Sequence, residues 1–176
     1  MLVTSRFPLP GVLIAAALVG CAATRGGFED GVYHEGSIAF QIGPVPAAWK
    51  RIEVTDASLA FRDDANEASI LVNAKCDPED QDTPLGSLTA HLIMGTTERE
   101  YVVEDTVPFD AREARHTVLR AKLDGVPMGY DIYVMKKDGC TYDLVYVAAP
   151  ARFDQGARAF DSFAMGFHTL RAPGTT

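Results

Sequence analysis

A chain of 176 residues, 47% hydrophobic and 23% charged, is long enough to bury an ordinary core and too apolar to stay disordered. Its formal net charge of −8 and isoelectric point near 4.9, with lysines and arginines scattered along the sequence, exclude nucleic acid as a partner, because phosphate binding needs a basic surface.

The first twenty residues differ from the rest. Arg6 is their only charged side chain, and residues 11–19 form an apolar run of signal-peptide length, too short to span a bilayer comfortably. The run ends in Leu18-Val19-Gly20-Cys21, with an aliphatic residue three before the cysteine and a small one immediately before it. This tetrapeptide resembles the lipobox of bacterial lipoproteins. The resemblance implies that residues 1–20 are a signal peptide cut before Cys21, that Cys21 carries diacylglycerol, and that its new amino group is acylated. Each buried methylene contributes about 0.8 kcal/mol, so two or three acyl chains hold a protein durably at the membrane. Ala22 follows the cysteine where aspartate would signal retention, which in lipoproteins of two-membrane bacteria implies sorting to the outer membrane. A plain cleaved signal with a chance cysteine, or an uncleaved anchor, are the other readings of this segment.

Residues 21–31, with Gly26 and Gly27 and little apolar content, read as a lipidated flexible tether. A single α+β domain is expected over residues 32–170, with a disordered tail at 171–176. Loss of Arg6 with the signal leaves 15 basic against 24 acidic side chains, a charge of −9 that anionic head groups mildly repel.

Short alternating runs broken by Gly43-Pro44-Val45-Pro46 and by Arg62-Asp63-Asp64-Ala65-Asn66 predict strands at 37–42, 49–54, 58–62 and 68–75. Asp82-Thr83-Pro84 then supplies a cap and a proline at a first helical position. Leu85, Leu88, Leu92 and Ile93 recur at helical spacing up to Gly95, which predicts a short helix on the sheet. Strands follow at 100–107, 113–123, 130–136 and 141–148, with a hairpin turn at Asp138-Gly139, and the short links imply an antiparallel meander. Phe153, Phe160, Phe163 and Phe167 then form the stripe of an amphipathic closing helix.

This order resembles the small α/β/α sandwich of the PsbP-like proteins. The echoes are Asp110-Ala111-Arg112-Glu113-Ala114 entering a long strand, the hairpin, Tyr142-Asp143-Leu144-Val145-Tyr146, and the final Phe163-Ala164-Met165-Gly166-Phe167. The resemblance spans most of residues 32–168 and implies partner binding or an assembly role.

Cys76 and Cys140 are the only thiols left after lipidation, and an exported domain sits where disulfides persist, so a bridge between them is the preferred reading. Two buried, unpaired cysteines acting as small apolar side chains are the other. A catalytic Cys-His pair would need a thiolate kept reduced outside the cytoplasm. His34, His91, His116 and His168 show no metal spacing, and no cofactor is expected. Asp77, Glu79, Asp80 and Asp82 could gather calcium ligands but lack the glycine and distal glutamate of an EF-hand; a solvated loop capping the helix at Pro84 is preferred. There is no GxSxG elbow and no phosphate loop. Arg112, Glu113 and Arg115 beside His116 could line a polar groove, or simply form the wet face of a strand.

With no catalytic residues to name, the expected function is that of a non-catalytic accessory or protein-interaction lipoprotein of the cell envelope. It would be held to the outer membrane by Cys21, face the periplasm, and partner an envelope protein. A carrier of a small hydrophobic or cationic ligand, in a cleft between sheet and terminal helix, is the competing class, and a minor hydrolase the third.

Overall fold

A computed structural model describes residues 26–170; the signal segment, Cys21, the tether before Gly26 and the tail at 171–176 lie outside the described residues. Along the chain run β1 (Gly27–Glu29), β2 (Val32–Glu35), β3 (Ile38–Gln41), β4 (Lys50–Ile52), β5 (Leu59–Asp63), β6 (Ala68–Lys75), α1 (Leu85–Leu92), β7 (Thr96–Phe109), β8 (Arg112–Leu123), β9 (Val126–Lys137), β10 (Cys140–Ala148), α2 (Phe153–Met165) and β11 (His168–Thr169). Seven strands form the larger sheet in the order β4-β5-β6-β10-β9-β8-β7, and four short ones the smaller, in the order β1-β2-β3-β11. Every pairing is antiparallel. The expected α+β class, antiparallel sheet with a short central helix and a closing helix, is what the chain adopts.

The meander from β7 to β10 keeps strand order because each link is a two-residue turn. Asp110-Ala111, Asp124-Gly125 and Asp138-Gly139 all have positive φ at both positions, the backbone twist that matches right-handed strands. The outer edge of β7 is blunted by charged side chains, by register shifts between Thr97 and Glu100 and between Tyr101 and Val103, and by Pro108.

Both faces of the larger sheet are covered. On one, Ile70 and Val72 of β6 and Tyr142, Leu144 and Tyr146 of β10 share a buried cluster with Phe160 and Phe163 of α2 and with Tyr33 and Phe40 of the smaller sheet. Rings carry much of this packing: Tyr146 stacks on Phe160 at 5.5 Å between centroids, and Trp49 lies 5.6 Å from Phe163. Each such pair adds about 0.5–1.5 kcal/mol beyond its buried area. Close approach of α2 depends on Gly156, where a Cβ would overlap the Tyr146 hydroxyl, itself donating to the Phe153 carbonyl at 3.0 Å. On the opposite face Leu85, Leu88 and Ile93 pack over Leu119, Ala121, Tyr130, Ile132 and Val134.

Several boundaries move. The tether expected at 21–31 reaches too far, since Gly27–Glu29 is a strand paired with β2, and β2 itself was not expected. Pro84 is the N-cap of α1 and not its first helical residue, and no side chain caps that helix. Phe160 and Phe163 are the buried face of α2, whereas Phe167 follows the helix and is buried in the turn toward β11.

Candidate functional site

Strand alternation divides Arg112, Glu113, Arg115 and His116, which sequence read as the wet face of a strand or the lining of a polar groove. Arg112 and Glu113 are exposed at the start of β8, and Arg115 bonds Glu104 across to β7 at 2.7 Å. His116, on the same face as Arg112 and the buried Ala114, turns toward the α2 side. Its register partner on β9 is Tyr133, and the two rings lie parallel at 4.2 Å between centroids. Its Nε2 is 2.8 Å from Oδ1 of Asp131, a carboxylate only 4% exposed. Asp161 of α2 faces the same pair: burial, then the charge of Asp131, pushes its carboxyl above the usual range, while His116 pulls it down. Burial also drives the Tyr133 hydroxyl far up, so it stays protonated.

Further along the same margin, Val118, Gly129, Pro150 and Phe153 enclose a cleft of about 130 Å³ between β8, β9 and the start of α2. The margin thus has an apolar end and an imidazole–carboxylate end. Its carboxylates can attract a cation, but no serine, threonine or cysteine among the described residues hydrogen-bonds His116, so it presents no activated nucleophile there.

The acidic loop has a different occupant from the one considered in sequence. Lys75 reaches Asp77 at 2.8 Å and Asp80 at 3.7 Å, and Lys136 donates to the carbonyls of Gln81 and Thr83, each at 2.7 Å, and of Asp80 at 3.3 Å. Asp77 caps the 3-10 turn Pro78–Asp80 through the Glu79 amide; the capping expected at Pro84 is not made. Among the described residues no group of three metal-ligating side chains is brought together. His34 and His91 are exposed, and His168 points Nδ1 at Asp110, 3.2 Å away.

Cys76 and Cys140 are disulfide-bonded, joining the chain just past β6 to the first residue of the neighbouring β10. Beyond Asp131 and Asp161, sequence reasoning missed two more carboxylates. Asp110, in the β7–β8 turn, accepts from Lys137 Nζ at 2.8 Å and from the amide and hydroxyl of Thr169 at 2.9 and 2.8 Å. Asp143, on β10, is buried with Oδ1 unpartnered. The Asp-Ala pair between two strand patterns could have pointed to the first; nothing in the sequence distinguishes the second.

The sheet's two ends differ. At one end Gly26, where the described chain begins, shares with Tyr33, Arg51, Ser58, Asn73 and Lys75 an open groove of about 770 Å³. At the other, about 36 Å away along the length of β9 at 3.3 Å per residue, the β8–β9 hairpin projects past the end of β10, whose last residue pairs with Gly129. Exposed apolar side chains lie there: Val126 is 57% exposed and Leu123 42%, with Met94 at 67% just before β7.

No family model matches the chain, and no curated protein matches it. Solved structures do. CyanoP, the cyanobacterial PsbP of Synechocystis sp. PCC 6803, aligns with a TM-score of 0.57 at 16% identity, covering 91% of this chain and 100% of its own. The fold is PsbP-like. LpqN of Mycobacterium tuberculosis, a protein involved in cell envelope biogenesis, also aligns, with a TM-score of 0.55 at 14% identity over 78% of this chain and 87% of that one. A structure from Bacteroides thetaiotaomicron gives 0.54 at 10% identity over 77% of this chain and 46% of the other. In the PsbP-like frame of this chain, the His116 margin lies where the closing helix meets the outer strands of the meander.

Proposed function

We propose that this protein is a lipid-anchored accessory protein of the bacterial envelope, held by Cys21 at the periplasmic side of the outer membrane, that docks another protein and catalyses no reaction. The observation that carries the reading is how apolar surface is distributed. Between the sheet and α2 the space is filled by Tyr146, Phe160 and Phe163, each fully buried, and the cleft left at the margin, about 130 Å³, is below the usual size of a small-molecule pocket. Met94, Leu123 and Val126 instead expose apolar surface at the end of the sheet farthest from the chain's entry, as expected of a protein-binding surface. The lipobox-like Leu18-Val19-Gly20-Cys21 supports the anchor, and the envelope role of LpqN supports the compartment.

A photoreactive residue placed at Val126 or Leu123 of the full chain in native membranes should give one discrete adduct, absent from the same residue at Val54. Val126→Asp should abolish the adduct formed from Leu123. Equal labelling from Val54 and Val126, or an adduct indifferent to Val126→Asp, would remove the patch as the docking surface.

A further inference from the structure

Residues 77–84 cross the α1-covered face of the larger sheet as an irregular strap. One end is fixed by the Cys76–Cys140 disulfide and the other runs into α1. Its middle is pinned by Lys136, whose ammonium sits among three strap carbonyls, and by Gln81, which donates to the Gly139 carbonyl at 3.0 Å. Near it in the sheet lies Asp143. Its side chain is on the same face as Thr141, and both present a buried oxygen with no hydrogen-bond partner. A buried carboxylate without a donor is costly, whereas a protonated one is a neutral group that can itself donate.

We propose that residues 77–84 form a pH-sensitive strap, closed over the sheet while Asp143 is protonated and released when it ionises. The charged surroundings favour this direction. From the strap, Asp80 raises the cost of a second negative charge. The cations nearby are committed: Lys75 of β6 to Asp77 and Asp80, Lys136 of β9 to the strap carbonyls, and Arg115 of β8, one strand farther, to Glu104. Across the sheet Asp143 pairs with uncharged neighbours, Asn73 on β6 and Val134 on β9. The only titratable side chain of α1, His91, is exposed.

Burial first, and then Asp80, pushes the Asp143 carboxyl up to about 7 with the strap closed. With the strap open it returns to the ordinary range near 3.9. Below about pH 4 the carboxyl is protonated either way and closure carries no penalty; between about 4 and 7 the closed-to-open ratio falls up to tenfold per pH unit; above about 7 it levels off, for a total near a thousandfold.

Hydrogen exchange of the full-length lipidated chain in micelles, between pH 5 and 8.5 and corrected for intrinsic rates, tests this. Peptides covering 77–84 should lose protection as pH rises to about 7 and then plateau, while peptides from β8 and β9 stay unchanged. Asp143→Asn should hold the strap at its low-pH protection throughout. Strap protection that is flat in the native chain, or the same slope persisting in Asp143→Asn, overturns the proposal. If that variant does not fold, carbon NMR of the native Asp143 carboxyl decides: a midpoint coinciding with the exchange midpoint supports the strap, and a midpoint in the ordinary carboxylate range sinks it.

Discussion

Replacing Asp110 with alanine tests how the two sheets are held together. The carboxylate ties three separate pieces: the β7–β8 turn that carries it, Lys137 at the end of β9, and His168 and Thr169 of β11, which closes the smaller sheet. Without it the Lys137 ammonium, 19% exposed, and the amide and hydroxyl of Thr169 lose their acceptor. Breaking a buried ion pair costs about 3–5 kcal/mol, and each orphaned neutral donor about 1–3. Because Lys137 can swing its head group to water, most of the ion-pair cost drops out, and the two orphaned Thr169 donors leave an expected total near 3 kcal/mol. Trp49, the single tryptophan, is packed between Phe61 and Phe163 and reports urea unfolding directly. The midpoint should fall with little change in slope.

Acid adds a second reading of the same variant. Burial alone would raise the Asp110 carboxyl, yet hydrogen bonds from Lys137, Thr169 and His168 outweigh it and hold the group below the usual carboxylate range. A depressed folded value means the stabilisation is present above the unfolded value near 3.9 and lost as pH falls through the folded one. Asp110→Ala should lack that acid limb. A loss under about 1 kcal/mol, or an unchanged acid limb, would show that β11 is held by its backbone pairing alone.

Reduction of Cys76–Cys140, which closes a loop of 64 residues, should lower stability by about 4 kcal/mol in the chain-entropy account; protein isolated without reductant should show no free thiol in denaturant, and two titratable thiols would contradict the bridge. Gly156→Ala, by forcing a Cβ onto the Tyr146 hydroxyl, should cost about 1–3 kcal/mol, seen as a lower melting temperature, whereas exposed Gly86→Ala in α1 should be neutral or stabilising. Mass spectrometry of membrane-extracted protein should find an acylated amino-terminal Cys21, and Cys21→Ser should release or block the protein; a soluble mature form with unmodified Cys21 would end the anchor reading.

What sequence revealed follows from how local each signal is. The meander and its turns were legible because Asp138-Gly139 and the alternation of Leu119, Ala121 and Leu123 act within a few residues. The smaller sheet was not: Gly27–Glu29 has the composition of a linker, and β3 pairs with His168 and Thr169 from the far end of the chain. His116 and Asp131 stand 15 residues apart and meet only because the β8–β9 register puts Val118 opposite Asp131 and Tyr133 opposite His116. Asp143 gave no sign because β10 is buried on both faces from Cys140 to Leu144, which erases the alternation that would mark a polar residue as misplaced. The Arg112, Glu113, Arg115 and His116 group looked continuous in sequence, and a period of two divided it between opposite faces.

The place of β11 bears on how the chain is made. In a polypeptide that emerges amino terminus first, from a ribosome or through a membrane pore, β1, β2 and β3 appear early, yet the free edge of β3 stays open until His168 and Thr169 arrive. The larger sheet waits as well, since β6 pairs with β10 and the three meander strands between them in the chain form on the far side of β10. Few long-range contacts can therefore form before most of the domain is out, which delays commitment to the native topology. Such an arrangement makes the carboxy-terminal residues the step that completes folding.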